Sequence, residues 1–292
     1  MVLSTMKQNK IISAAEFNLP DDLVNDSIES DFIKSLEREK SLIVYAREKI
    51  AQYFNKPHKS ESDLINVLLN VVLNLENYAL ICKEKKSEPP YHNLEHAREV
   101  FAVLLLFFSQ ENNNKFPGAW PPFNNHEKLL LLITALGHDF MHPGRKNKYQ
   151  AEIEDFSAEK IKTMMLDHSI VLEDICMVRD IILATEASEV NKNHNLLLDD
   201  DAQVILFVKR AKIILSEADI FPSILPVHGL QLGLNLMHEL KLTKTNNCFS
   251  LANLKFRLSF LKSVRLSSPY IKVLNLTERI ERQISWLEAE AI

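Results

Sequence analysis

Two short segments of the chain place histidines at a spacing that suits metal binding. One reads YHNLEHA and the other HDFMHPG, and in each the two histidines are four residues apart. Residues four apart lie on one face of a helix. Imidazole nitrogen and carboxylate oxygen are good ligands for zinc, manganese, iron or magnesium. Either segment alone is more often a hydrogen-bonded helix end, but together they predict a metal centre built from His92, His96, His138, Asp139 and His142.

The surroundings of the second segment strengthen this prediction. Residues 129–137 read LLLLITALG, which is too apolar for a surface helix. His138 and Asp139 therefore emerge at the end of a buried element. A buried carboxylate without a partner costs several kcal/mol, and a bound cation would offset that cost.

The elements that must position these residues are predicted to be helices. Only 5 of 292 residues are glycine, and the glycine-rich motifs of dinucleotide folds, P-loops and α/β-hydrolases are absent from the sequence. Apolar residues recur at helical rather than strand spacing. We expect an all-α fold of about ten helices: from Ser27 to Ile50, from Ser60 or Ser62 to the break before Pro89, from Asn93 to Phe108, and over 129–137, 150–166, 170–185, 200–220, 226–243, 250–264 and 269–290. Residues 1–30 are interpreted as an N-terminal extension and 31–292 as the catalytic domain.

Charge and cysteine content limit the possible partners. The net charge of -5 argues against nucleic-acid binding, and three widely spaced cysteines argue against a disulfide framework. The apolar runs at 100–108 and 129–137 are too short to span a membrane, and the first residues do not resemble a secretory signal. We expect a cytoplasmic protein, although delivery by a specialised secretion system is compatible with the sequence. The oligomeric state is left open.

Four motifs in order resemble the HD superfamily of metal-dependent phosphohydrolases, and most closely the catalytic domain of class I 3',5'-cyclic nucleotide phosphodiesterases. They are YHNLEHA at 91–97, HDFMHPGRKN at 138–147, ILATEAS at 182–188 and the EAD that ends at Asp219. The resemblance extends over roughly residues 40–280. It implies a compact helical bundle with a metal centre in a central pocket.

The resemblance also implies roles for individual residues. A first metal, usually zinc, would be held by four ligands, and one of them, Asp139, would bridge to a second metal, usually magnesium or manganese. His142 would lie near that second metal, and His92 would be the general acid. The implied metal ligands are His96, His138, Asp139 and Asp219, and the implied pocket residues are Tyr91, Asn147 and Thr185.

The implied reaction is the hydrolysis of cyclic AMP or cyclic GMP to the 5'-monophosphate. Two cations would supply a hydroxide near neutral pH and neutralise charge on the phosphoryl oxygens. An imidazolium would protonate the departing ribose alkoxide. An HD-type phosphohydrolase acting on another nucleotide or phosphorylated small molecule is the first alternative. A catalytically silent protein that binds metal or nucleotide is the second.

Two departures from the family pattern affect the predicted site. The family's glutamate near the metals follows a longer phrase that is shortened here, so Glu159 is the first choice and Glu152 and Glu154 are alternatives. Arg257 stands three residues before Phe260, where the family carries a glutamine that binds the base. A guanidinium only donates hydrogen bonds, whereas an amide also accepts them. We therefore predict Arg257 and Phe260 as substrate contacts with altered base recognition.

Overall fold

The computed structural model describes residues 19–111, 120–195, 206–241 and 251–290, and the side chains of residues 251 and 252 are not described. These residues form fourteen helices and no strand. The helices are α1 (Asp21–Val24), α2 (Ser27–Ser35), α3 (Leu42–Tyr53), α4 (Lys59–Lys85), α5 (Leu94–Gln110), α6 (Asn125–Gly137), α7 (Glu152–Asp167), α8 (Leu172–Leu183), α9 (Ala187–Asn195), α10 (Phe207–Ile224), α11 (His228–Glu239), α12 (Leu251–Ser263), α13 (Pro269–Val273) and α14 (Leu276–Glu290). The prediction of an all-α fold is confirmed for this part of the chain.

The centre of the fold consists of α5 and α6, which pack against each other and against α4 and α10. Both central helices have definite starting points. Asn93 caps α5 by accepting hydrogen bonds from the backbone N–H groups of Glu95 and His96, at 2.9 and 3.2 Å. Asn124 and Glu127 form a reciprocal capping box at the start of α6. All nine residues of 129–137 are buried, as their composition predicts.

Two predicted helices are divided in the structure, which explains two of the four helices beyond the predicted ten, and α1 and α9 are the other two. The predicted run from Ser27 to Ile50 is interrupted at residues 36–41, between α2 and α3. Arg98, a buried residue of α5, donates hydrogen bonds to the carbonyl oxygens of Leu36, Glu37 and Lys40 in this break. A buried guanidinium on α5 thus satisfies backbone groups that a continuous helix would have used internally.

Other boundaries also differ from the prediction. The run 269–290 divides into α13 and α14, because Asn275 adopts a left-handed conformation with φ 51°. The prediction missed α9, which follows directly on α8. The helix predicted to end at residue 220 continues to Ile224 through Pro222. Parts of three predicted helices lie outside the described residues. They are residues 200–205, 242–243 and 250.

The segment predicted as an extension packs against the domain where it is described. Leu19 and Leu23 form a small apolar cluster with Leu230 of α11. Glu29 of α2 is buried and accepts hydrogen bonds from the backbone of residues 227 and 228. Residues 19–35 therefore contribute contacts to α11, while the domain boundary near residue 30 stays a prediction.

One described helix, α4, is long and apolar enough by composition to cross a membrane. Its apolar residues at 64, 67, 68, 71, 72 and 75 are buried, and the helix packs against α3, α6 and α7. Core helices commonly have this composition, so α4 is explained by its place in the bundle.

Candidate metal centre and active site

The four predicted metal ligands converge from three helices. His96 lies in the first turns of α5, His138 and Asp139 follow the last residue of α6, and Asp219 lies on α10. One ligand atom from each of the four residues lies within 4.8 Å of the other three. The Nε2 atom of His96 is 3.0 Å from Oδ1 of Asp219 and 3.3 Å from Oδ2 of Asp139. Residues as far apart in sequence as 96 and 219 thus share one small volume.

The orientation of the histidine rings fits a divalent cation. Nδ1 of His138 lies 2.8 Å from the carbonyl oxygen of Ala135. A carbonyl only accepts, so Nδ1 carries the proton and Nε2 keeps its lone pair toward the cluster. The Nε2 atoms of His96 and His138 are buried and make no hydrogen bond to protein atoms. Two buried imidazole nitrogens without such partners, facing two carboxylates, match the mixed nitrogen and oxygen ligand set of a metal site.

The charges within this cluster are strongly coupled. Burial lowers the pKa of His96, but the nearby carboxylates of Asp139 and Asp219 outweigh burial and raise the pKa to about 9. The two histidines in turn hold the pKa of Asp219 below its usual range, against the opposing effect of burial. Both carboxylates therefore remain ionised at neutral pH, as metal ligands must be.

The predicted general acid, His92, is held by a residue that the sequence analysis did not identify. Nδ1 of His92 lies 2.5 Å from Oε1 of Glu239, the last residue of α11. The other carboxylate oxygen accepts the backbone N–H groups of Tyr91 and His92, at 2.8 and 3.0 Å. This arrangement directs Nε2 of His92 toward Asp139, 3.9 Å away. Glu239 has no sequence signal beyond its place at the end of an amphipathic helix.

Glu239 is well placed to keep a proton on the His92 ring. Burial raises the pKa of Glu239, but the hydrogen bond and charge of His92 outweigh burial and lower the pKa below its usual value. The carboxylate is therefore charged at neutral pH. A buried carboxylate bonded to one ring nitrogen fixes the tautomer and the orientation of the ring.

His142 packs directly beside this acid. The rings of His92 and His142 have centroids 3.8 Å apart, and both side chains lie with Asp139 in a second possible ligand group. Nδ1 of His142 accepts the backbone N–H of Gly144 at 3.1 Å. Burial, together with the positive charge of His92, lowers the pKa of His142 to about 4. His142 is thus a neutral ring in a tight turn that requires a positive φ at Gly144 (65°).

The structure assigns the three candidate acidic residues to different surroundings. Glu152 forms a two-point ion pair with Arg145, at 2.8 and 2.6 Å. Glu159 is half exposed and pairs with Lys162, and its role as the site glutamate stays a prediction. Glu154 is the residue near the cluster: burial and the negative charge of Asp139 raise its pKa, although a hydrogen bond from Asn147 opposes them. Spacing alone could not show which residue of α7 faces the metals.

Asn147 reaches this acid as the motif predicts. Its Nδ2 donates to Oε2 of Glu154 at 2.8 Å, and its Oδ1 accepts the N–H of Ile153 at 2.9 Å. Thr185 follows the end of α8, and its hydroxyl donates to the carbonyl oxygen of Ile182 at 2.8 Å. Asn147 therefore joins the site through Glu154, whereas the described hydrogen bond of Thr185 stays within its own turn.

Tyr91, Arg257 and Phe260 line a second, smaller cavity of about 20 Å³. The Tyr91 hydroxyl is 2.9 Å from the hydroxyl of Ser223, and its ring lies edge-on to His92 with centroids 4.7 Å apart. The Arg257 guanidinium is buried and donates to the carbonyl oxygens of Ser223 and Leu225. Its described hydrogen bonds are all internal, so Arg257 is a structural residue of the α10 end rather than a free group offered to substrate.

A small cavity of about 30 Å³ adjoins the cluster. Its walls come from α4, α5 and the HDFMHPG turn. The polar lining residues include His92, His96, His138, Asp139 and His142, and the apolar side includes Leu75, Ala79, Leu94, Leu136 and Met141. Three of the four predicted metal ligands and the predicted acid His92 therefore face a common space.

Comparison with known proteins agrees with the geometry. Residues 91–175 match the family model of 3'5'-cyclic nucleotide phosphodiesterase. The chain is 26% identical over 171 residues to a dual 3',5'-cyclic-AMP and -GMP phosphodiesterase 11 of Drosophila melanogaster, covering 54% of this chain and 11% of that protein. It is 25% identical over 206 residues to the cGMP-specific 3',5'-cyclic phosphodiesterase gamma of Plasmodium yoelii, covering 66% of this chain and 25% of that protein.

The fold is also that of a solved phosphodiesterase domain. The phosphodiesterase domain of the RhoPDE fusion protein from the choanoflagellate Salpingoeca rosetta superimposes with a TM-score of 0.56 at 15% identity, covering 96% of both chains. The match over residues 91–175 is thus to the class I cyclic nucleotide phosphodiesterase family, and the described residues have the all-α fold of a phosphodiesterase domain.

Proposed function

We propose that this protein hydrolyses 3',5'-cyclic nucleotides to 5'-monophosphates with the help of two divalent metal ions. The chain spans only 11% and 25% of the two curated relatives, so their activities are carried over here as a proposal. The observation that carries it is the convergence of a four-residue His/Asp cluster beside an imidazole held by a buried carboxylate.

The residues of the cluster suit two unlike metal sites. The first metal would be held by His96, His138, Asp139 and Asp219, whose mixed donors favour Zn²⁺. The second would share Asp139 and lie toward His142, and we propose Mg²⁺ or Mn²⁺ there. When bound, the two ions lower the pKa of water from about 15.7 toward about 7 and neutralise charge on the phosphoryl oxygens.

The protein residues supply proton transfer and orientation. His92 would donate its Nε2 proton to the departing ribose oxygen, which is a poor leaving group without protonation. Glu239 keeps the proton of Nδ1 and stabilises the imidazolium before transfer. Glu154, kept in place by Asn147, is the acidic residue that we assign to the metal side of the site in place of Glu159.

Recognition of the base is the part of the site that differs most from the family pattern. Arg257 stands where the family glutamine would contact the base, and its guanidinium is engaged with backbone carbonyls. The apolar faces of Tyr91 and Phe260 remain in the cavity wall. Stacking tolerates either purine, so we expect cyclic AMP and cyclic GMP to be used with little discrimination.

The alternatives from the sequence are less well supported. An arginine also suits a second acidic group on another phosphorylated molecule, but the guanidinium of Arg257 is engaged with backbone carbonyls. A silent binding protein would not need His92 and Glu239 to be held so close. A cytoplasmic location and the absence of a nucleic-acid partner stay predictions from the sequence.

The test is turnover by the purified chain with Mn²⁺, or with Zn²⁺ and Mg²⁺ together. We expect release of 5'-AMP and 5'-GMP from the cyclic nucleotides. Asp139→Asn should abolish it, whereas Asp155→Asn, a half-exposed carboxylate paired with Arg179, should retain it. Nucleotide binding without turnover would instead favour the silent protein, and turnover of linear phosphoesters alone would favour the first alternative.

A further inference from the structure

The corner between α10 and α11 connects the metal ligands to the proposed acid. α10 carries Asp219, and the two helices meet at 101°. α11 ends at Glu239, the carboxylate that holds His92. A helix of twelve residues is about 18 Å long. A small rotation of α11 at its start therefore moves Glu239 relative to His92.

At this corner the Arg257 guanidinium lies against the backbone at the end of α10. Arg257 donates to the carbonyl oxygens of Ser223 and Leu225, the latter at 3.0 Å, and to Oε1 of Gln283 at 2.7 Å. A Cβ atom on Gly229 would lie 2.3 Å from the Ser223 oxygen and 2.9 Å from Nη2 of Arg257. Only glycine at position 229 permits α11 to start at this distance from the end of α10.

A carboxylate from the N-terminal region also lies at this corner. Glu29 accepts the backbone N–H groups of Val227 and His228 at 3.1 and 2.5 Å. These are donors that the start of a helix leaves without internal partners, and a negative charge there is favourable. Burial lowers the pKa of Arg257 to about 9, and the charge of Glu29 opposes that effect. Glu29 thus stabilises both the start of α11 and the buried cation beside it.

The far end of α11 returns to the same corner. Glu239 is buried and bonded to the backbone of Tyr91 and His92. The Tyr91 hydroxyl pairs with Ser223, whose carbonyl oxygen Arg257 binds. The segment that carries His92 is therefore tied to both ends of the α10–α11 corner.

We infer that Glu29, Gly229 and Arg257, which we call the α11 anchor, are positioning residues that hold Glu239 against the proposed acid His92. This inference rests on the proposed function. The described hydrogen bonds of Glu29 and Arg257 reach the end of α10, the start of α11 and Gln283 of α14, so an effect on His92 would pass through α11 and Glu239. The anchor also gives residues 19–35 a role in catalysis.

The experiment compares two glycines of one helix. Gly229→Ala introduces the clash described above, whereas a Cβ on Gly233 meets no atom within 4 Å. Each variant is assayed on cyclic AMP and on bis(p-nitrophenyl) phosphate, whose leaving group departs without protonation. A general acid contributes about 10²–10⁴ to the rate. For Gly229→Ala we expect the ratio of kcat on cyclic AMP to kcat on the aryl ester to fall about tenfold or more, and for Gly233→Ala to stay within about twofold of wild type.

A second pair of variants covers the case in which Gly229→Ala does not fold. Glu29→Ala should lower the same ratio, and Asp31→Ala, an exposed carboxylate of the same helix α2, should not. An unchanged ratio in folded Gly229→Ala and Glu29→Ala would overturn the inference. So would an equal loss on both substrates, because that points to damage of the whole site.

A measurement that does not depend on enzyme activity separates this inference from the proposed function. Hydrogen exchange of the peptide around residues 88–95 reports the N–H groups that Glu239 accepts. We expect faster exchange there in Gly229→Ala and Glu29→Ala than in their controls, whatever the substrate is. The wild-type protein could fail to hydrolyse cyclic nucleotides while the two variants still exchange faster than their controls. In that case the proposed function fails and the positioning of Glu239 stands. If exchange around residues 88–95 is unchanged, the anchor does not hold Glu239.

Discussion

Replacing Glu239 with glutamine removes one negative charge while keeping the size and shape of the side chain. In the native protein one oxygen accepts two backbone N–H groups, at 2.8 and 3.0 Å, and the other faces Nδ1 of His92 at 2.5 Å. Glutamine has a single side-chain oxygen. The backbone N–H groups of Tyr91 and His92 would keep that oxygen in the position of the native Oε2. The amide NH₂ group is then turned toward Nδ1.

This reversal disables the acid without removing it. An NH₂ donor facing Nδ1 requires a lone pair on that nitrogen, which places the ring proton of a neutral imidazole on Nε2. The neutral ring is a far weaker acid than the imidazolium that the carboxylate stabilised. The loss should approach the whole contribution of general acid catalysis, about 10²–10⁴ in rate or about 3–5 kcal/mol in the activation barrier.

The assay is steady-state hydrolysis of cyclic AMP by Glu239→Gln with saturating metal. We expect kcat to fall about 100-fold or more and KM to change by only a few-fold, since Glu239 does not face the substrate. Glu288→Gln, an exposed residue paired with Lys262, should behave as wild type. A folded Glu239→Gln protein with kcat within about threefold of wild type would refute the assignment of His92 and Glu239 as the acid pair.

Three further outcomes follow from the site and its surroundings. Asp219→Asn should lower the zinc content of the purified protein by about one equivalent in elemental analysis while circular dichroism stays helical, and an unchanged zinc content would contradict the ligand set. Glu154→Gln should reduce turnover and Mn²⁺ affinity, whereas Glu159→Gln should not, and the reverse result would restore Glu159 to the site. Glu217 is buried on α10, and burial raises its pKa from 4.5 to about 7 although hydrogen bonds from the backbone of Ser267 and Ser268 oppose the rise. Between about pH 4.5 and pH 7, Glu217 is protonated in the folded state and ionised in the unfolded state. The free energy of unfolding therefore falls as the pH rises through that window. The free energy of unfolding of Glu217→Gln, measured in urea relative to wild type, should therefore be higher at pH 8 than at pH 5, by at most about 3 kcal/mol. A difference between variant and wild type that is the same at both pH values would contradict the raised pKa of Glu217.

The residues that sequence predicted best are those whose roles depend on local spacing. His92, His96, His138 and Asp139 stand in short motifs at helix ends, and a helix end fixes direction as well as position. Their convergence with Asp219 could be expected only through the resemblance to a known family, because 123 residues of chain separate His96 from Asp219.

The residues that sequence missed depend on packing between distant helices. Glu239 is one acidic residue among many until α11 turns back toward His92. The choice of Glu154 over Glu159 depends on which face of α7 lies against α6, and both residues have the same local pattern. The break between α2 and α3 is stabilised by hydrogen bonds from Arg98, which lies 58–62 residues further along the chain. The periodicity of residues 27–50 contains no sign of this partner.

The four metal ligands come from three helices that separate completely when the chain unfolds. No fragment holding one or two of these helices has the complete ligand set, so a metal can be bound by all four only after the bundle is assembled. Binding energy gained at the centre is therefore stability gained by the whole domain, about 2.7 kcal/mol when free metal is at 100 times its Kd. With zinc at the proposed first site, depriving a cell of zinc would lower the amount of this protein, since the metal-free domain would be exposed to proteolysis more often.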